Sequence, residues 1–164
     1  MFTARALDGA DAESYRALRL EALESYPTAF LTTADEFRAK PLEDIAKQLD
    51  QGASWAVFEG NQAVGIAALL PLRYKAAAHR AEIGAFFVSP AAQGGGAARV
   101  LLTSMAHAAK QRGIWQLELY VADDNARARR FYEKQGFREM GRLPNAAIVG
   151  GVVTSDFFMV ADLR

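Results

Sequence analysis

Residues 81 to 88, AEIGAFFV, form a nearly unbroken apolar run, and together with the turn and helix signals after them they limit the folds open to the chain. A strand with apolar side chains pointing both ways needs cover on both faces. Ser89-Pro90 ends the run, because proline brings no N–H to a ladder and pushes the residue before it out of helical conformations. Gly94-Gly95-Gly96 comes next, and then Ala98, Leu101, Leu102, Met105, Ala108 and Ala109 recur at helical spacing. Arg112-Gly113 supplies a basic last turn and a terminating glycine. Trp115 to Val121 reads as another strand. Strand, glycine turn, helix and strand in that order predict a right-handed βαβ unit with two parallel strands. Open sheets bind ligands beyond the carboxyl ends of such strands, so the chemistry is expected there.

The rest of the chain supplies further elements. Phe2 to Leu7 alternates like a strand before Asp8-Gly9, and Asp11 is the expected N-cap of a helix carrying Tyr15, Leu18, Leu23 and Tyr26 up to Pro27. Residues 32–39 predict a short second helix, and Pro41 sits at the tolerated first turn of a third with Leu42, Ile45 and Leu49. Ser54 to Glu59 and Gln62 to Leu72 flank Gly60-Asn61 as a β-hairpin. Asn125 caps a helix whose inner face includes Ala128, Phe131 and Tyr132, and Gly136-Phe137 closes it and opens a strand. Residues 145–153 read as a loop, and Thr154 to Leu163 as the last strand. No repeat or linker interrupts the 164 residues, so residues 1–164 are expected to form a single domain.

Composition removes several function classes. Nineteen basic and nineteen acidic residues cancel, which draws the chain toward neither nucleic acid nor a membrane surface and leaves a small molecule or peptide as the expected partner. With no cysteine, disulfides, thiolate metal sites and a cysteine nucleophile are excluded, so any acyl transfer is expected to proceed by direct attack of the acceptor. The charged N-terminal stretch contains no apolar run of signal or membrane-spanning length, and the expected location is cytoplasmic. His79 and His107 lie far apart with no ligand spacing around them, and no metal is expected.

The segment from Val88 to Arg99 carries the most chemistry. The first N–H groups of a helix lack intrahelical partners and hold the positive end of its dipole, so a phosphate suits them, although a glycine-rich turn also serves close strand–helix packing. A dinucleotide fingerprint fits poorly, because Arg99 falls where its last small residue belongs, and no Gly-Lys-Ser/Thr comes after it for a phosphate loop.

With Gln93-x-x-Gly96-x-Ala98 after a buried strand, the segment resembles motif A of GNAT acetyltransferases, Gln/Arg-x-x-Gly-x-Gly/Ala. Asn125-x-x-Ala128-x-x-x-Tyr132-x-x-x-Gly136-Phe137 is similar to the family's motif B, one strand later. The resemblance covers residues 54 to 163 well and the first helices loosely. It implies an α/β (α+β) domain: a mixed, mostly antiparallel sheet of about six or seven strands, its central parallel pair splayed at the cofactor site, flanked by about four or five helices.

It also implies an acetyl-coenzyme A dependent N-acetyltransferase acting on a primary amine in a ternary complex, or else the same scaffold holding coenzyme A as a sensor without turnover. The cofactor's diphosphate would lie on the N–H groups of Gln93, Gly94, Gly95, Gly96, Ala97 and Ala98, its pantetheine arm along Phe86, Phe87 and Val88, and Asn125 would bond the pantetheine amides. Tyr132 would protonate the departing thiolate; helical spacing alone does not separate that role from a core aromatic beside Phe131, and without the resemblance the core aromatic is the favoured reading. Glu82 would be the general base, its pKa raised by an apolar strand, or a structural acid, and Glu118 is a second candidate or a sheet-surface residue. Period-two alternation puts Glu82 on one face with Gly84, Phe86 and Val88. Gln93 stands where arginine is commoner, which removes a charge. Arg127, Arg129 and Arg130 read as a solvated helix face or as one contact to the cofactor's ribose phosphate. Tyr26, Phe30, Phe37 and Phe157 either line a partly apolar acceptor pocket or pack the core. Family resemblance adds the expectation of a homodimer.

Overall fold

In the computed structural model, which describes residues 1–164, seven strands form one mixed sheet. They are β1 (Phe2–Ala6), β2 (Ser54–Glu59), β3 (Gln62–Pro71), β4 (Arg80–Val88), β5 (Gln116–Ala122), β6 (Arg138–Val149) and β7 (Val152–Asp162), and they lie side by side as β1-β2-β3-β4-β5-β7-β6. Only β4 and β5 run parallel. Helices α1 (Ala12–Ser25), α2 (Ala34–Arg38) and α3 (Leu42–Leu49) come before β2, while α4 (Ala97–Gln111) joins β4 to β5 and α5 (Ala126–Lys134) joins β5 to β6. The expected βαβ unit is thus present, within a seven-stranded, five-helix fold.

Strand alternation feeds two cores. On one face α4 buries Leu101, Leu102 and Met105 against Val57, Leu69, Ile83, Leu117 and Leu119. On the other, Tyr15, Leu18 and Leu23 of α1 and Ile45 and Leu49 of α3 cover Ala56, Ile66 and Phe87. Each buried leucine or isoleucine contributes about 1.5–3 kcal/mol, and truncating one such as Leu101 to alanine costs about 2–5 kcal/mol.

Local details differ from the sequence expectation. Asp11 precedes α1 but makes no cap hydrogen bond there; its carboxylate accepts from the Asp8 N–H and from Arg5 at 2.8 Å, stapling the 3-10 turn Gly9–Asp11 instead. Pro41 sits one residue outside α3, at its N-cap. The stretch expected as a loop, 145–153, is mostly strand: β6 runs to Val149, turns at Gly150-Gly151, both at positive φ, and re-enters as β7. Pro144 and Asn145 suggest a break, yet β6 is the sheet edge, where a missing N–H costs nothing. Asn145, at φ 52°, absorbs the register shift between Leu143 and Ala147.

The largest departure is inside β4. Only Ala81, Ile83, Phe87 and Val88 are buried; Glu82 is exposed, and Gly84, Ala85 and Phe86 are partly open. Ala85 has φ 50°, and the pairing steps from Ala68–Gly84 to Ile66–Phe87, so Ala85 and Phe86 together oppose Ala67. This bulge resets the alternation. Ile83, Phe86 and Val88 face the α4 layer, and Phe87 faces α1. Glu82 therefore does not share its face with Phe86 and Val88.

Candidate active site

The parallel ladder stops early. β4 and β5 pair at Arg80–Gln116, Ala81–Leu117 and Glu82–Glu118 and no further, while β5 continues beside β7 to Ala122–Asp156. The bulge at Ala85 bends β4 away, and a wedge of about 100 Å³ opens between residues 83–86 and 119–122. It adjoins a cavity of about 460 Å³ over the carboxyl end of β4. Phe30, Phe86, Asn125, Ala128 and Tyr132 line both.

One rim of the larger cavity is the glycine turn. Gly94 and Gly96 adopt φ 81° and 97°, conformations side-chain-bearing residues rarely hold, and a Cβ on either would touch nothing within 4 Å. Both glycines serve the backbone path into α4, not tight packing. The N–H groups from Gly94 to Arg99 have no acceptor in the protein, whereas that of Gln93 donates to the Pro90 carbonyl at 3.2 Å. Of the residues expected at the cofactor, Phe87, Val88, Gln93, Gly94, Gly96, Ala98, Asn125 and Tyr132 line this cavity. Gly95 and Ala97 do not: Gly95 backs onto the Phe2 ring, 3.3 Å from where a Cβ would stand, and Ala97 is buried in the α4 core.

Asn125 caps α5, its Oδ1 accepting from the Ala128 N–H at 3.1 Å, which leaves its amide NH₂ as the free group. Tyr132 hangs from the same helix, wedged edge-on against Phe86, Phe131 and Phe137 with ring centroids 5.2–5.8 Å away. Its hydroxyl bonds to nothing in the protein, and burial pushes its pKa up, so the phenol stays protonated.

Glu82 lies elsewhere. It lines a separate cavity of about 400 Å³ with Leu70, Tyr120 and Phe158, and Tyr120 also borders the wedge. Although the residue is open to solvent, partial desolvation of its carboxyl by the cavity wall, then the charge of Glu118, raises its pKa. Glu118 itself is no surface residue: it is 6% exposed, forked by Arg80 through Nε and Nη2, and takes a third hydrogen bond from Gln116 at 2.8 Å. Arg80's hydrogen bond, foremost, holds its carboxyl below the ordinary value. Glu82 and Tyr132 thus line different cavities, and Tyr120 borders both the cavity of Glu82 and the wedge.

Among the aromatics left open by the sequence, Tyr26 and Phe30 line the larger cavity, while Phe37 is core and Phe157 lies under the Arg129 guanidinium. Sequence reading missed a polar clamp: Gln93 Nε2 donates to the Val88 carbonyl at 2.9 Å, and Gln93 Oε1 accepts from Arg127 Nη1 at 2.6 Å. The departure of Gln93 from the commoner arginine was the available signal.

Comparison with known proteins agrees with this geometry. The chain is 33% identical over 135 residues to a mycothiol acetyltransferase of Beutenbergia cavernae, a match covering 81% of this chain and 44% of that protein, so the chain spans less than half of this curated relative. The crystal structure of a ribosomal-protein-alanine N-acetyltransferase from Brucella melitensis superposes with TM-score 0.84 at 25% identity, covering 98% of this chain and 99% of that one. A Salmonella typhimurium protein described as a putative acetyltransferase, yncA, solved with acetyl-CoA, shares the fold at TM-score 0.85 and 19% identity over 100% and 95% of the two chains. The model of the acetyltransferase (GNAT) family matches residues 15–137, through both the glycine turn and the α5 motif, and the chain belongs to this family of acetyl-CoA-dependent acetyltransferases.

Proposed function

We propose that the chain transfers an acetyl group from acetyl-CoA to a primary amine of a small molecule or peptide, by direct attack within a ternary complex. The observation that carries this reading is the set of unpaired amides of Gly94, Gly96, Ala98 and Arg99, at a cavity that leads between two diverging strands to a buried, unbonded phenol. The fit is chemical as well as spatial: the free amides and helix dipole suit a diphosphate, and the apolar wall of Phe86, Phe87 and Val88 suits a pantetheine chain. Acetyl-CoA supplies the thioester carbonyl. The amides of Gly94, Gly96 and Ala98 and the free NH₂ of Asn125 hold the cofactor, Tyr132 Oη gives a proton to the departing sulfur, and Glu82, its pKa raised, takes a proton from the amine arriving past Tyr120. The exposed aliphatic side chains of Leu143, Ile148, Val152 and Val153 on the edge hairpin support a homodimer. No helix is long and apolar enough to cross a membrane; a cytoplasmic location stays part of this reading.

The separation of Glu82 from Tyr132 favours a second reading, a scaffold that holds coenzyme A without turnover. Thiol release over a panel of amines distinguishes the two. Tyr132→Phe is expected to lower kcat by about 100- to 10,000-fold. Its Tm should hold, because the lost hydroxyl has no partner and the ring contacts remain. Thiol release at background with every amine, while coenzyme A still raises Tm, would refute catalysis and leave the binding module.

A further inference from the structure

We propose that Arg127, held by Gln93, is the cation that meets the diphosphate of coenzyme A, with Gln93 as its positioning residue. This rests on the cofactor site proposed above. The chain as a whole is charge-balanced, yet the only charged side chains lining the larger cavity are Arg99 and Arg127, and no carboxylate lies among them. Neither arginine takes part in an ion pair. Arg127, exposed on α5, nonetheless has a polar partner. Gln93 grips it through Oε1 at 2.6 Å while its own Nε2 holds the carbonyl of Val88, the last residue of β4, at 2.9 Å. The guanidinium is thereby tied through one side chain to a strand end beside the free amides. A guanidinium has five donors and Gln93 occupies one, so a fork of N–H groups remains for an anion. Fixing a long side chain in advance lowers the entropy that binding must otherwise spend. An arginine at position 93 would put a charge here directly; with glutamine there, the charge comes from α5 and the glutamine aims it.

Calorimetric titration of coenzyme A and dephospho-coenzyme A, at low and high salt, tests this on the intact protein. Arg127→Gln is expected to weaken both ligands alike, about tenfold, and to flatten the salt dependence. Gln93→Leu should weaken them less, and the double variant Gln93→Leu/Arg127→Gln no more than Arg127→Gln alone. Gln93→Arg in the Arg127→Gln background should recover affinity, a rescue that a merely structural role would not produce. Gly96→Val serves as control, since a valine cannot hold φ 97° and distorts the amide row. If Gly96→Val abolishes binding and Arg127→Gln leaves it at the wild-type value, this proposal falls and the cofactor site stands; if Gly96→Val changes nothing, the site itself falls. A loss with coenzyme A that vanishes with the dephospho form would overturn the diphosphate assignment, and strictly additive Gln93 and Arg127 losses would overturn the positioning role.

Discussion

Gly65 is the position where a single added methyl group should disturb both the fold and the cofactor platform. It pairs with Val88 across β3 and β4, and a Cβ there would stand 2.8 Å from the Phe87 carbonyl oxygen, 2.9 Å from Val57 Cγ1 and 3.0 Å from Val88 Cγ2. The valine side chains can rotate, but the carbonyl belongs to the backbone of β4, so the end of that strand has to move. Overpacking of this kind costs about 1–3 kcal/mol, and a domain of this size loses about 2–4 °C per kcal/mol. Gly65→Ala is therefore expected to lower Tm by roughly 2 to 12 °C. Because Phe87 and Val88 line the larger cavity, affinity for coenzyme A should fall with it. Thermal melts monitored by circular dichroism, with and without coenzyme A, read both effects. Gly141→Ala is the matched control: a Cβ there meets nothing within 4 Å at an ordinary φ, and the change should stay within about 0.5 kcal/mol of wild type. If Gly65→Ala melts and binds like wild type, the close approach of β3 to the end of β4 is refuted, and with it the account of how that strand end is held.

Three other outcomes are expected. Arg80→Met leaves Glu118 without its main partner and should lower Tm at neutral pH. Glu118 is depressed below the ordinary 4.5, so the stability it contributes is full above that value and lost as pH falls through its folded-state pKa; the Tm gap between wild type and variant should close on acidification, and a gap constant with pH would contradict the pairing. If Glu82 is the base, the acidic limb of the kcat/KM profile reports its raised pKa, and Glu118→Gln, which removes the second cause of that raise, should move the limb to lower pH; an unmoved limb in a folded variant would assign it to another group. Asn125→Ala removes the side-chain cap of α5 and should cost about 0.5–2 kcal/mol in urea denaturation, with the slope unchanged.

Features that the chain specifies locally could be read from its residues. The apolar run before Ser89-Pro90, the glycines ahead of α4, the cap at Asn125 and the stop at Gly136 each act on neighbours a few residues away, and the βαβ unit and the amide row arise from them. Features that depend on pairing between distant strands could not. The bulge at Ala85 turns Phe86 and Val88 away from the face of Glu82, and no period-two pattern reports an inserted residue. Asn145 is tolerated in a strand because β6 has an open edge, which is a property of strand order. The fork of Arg80 on Glu118 spans 38 residues and the grip of Gln93 on Arg127 spans 34, so neither leaves a periodic trace. Sequence periodicity decides which way a side chain points along its own element; register and sheet order decide what it meets, and the partition of Glu82 and Tyr132 between two cavities is of that second kind.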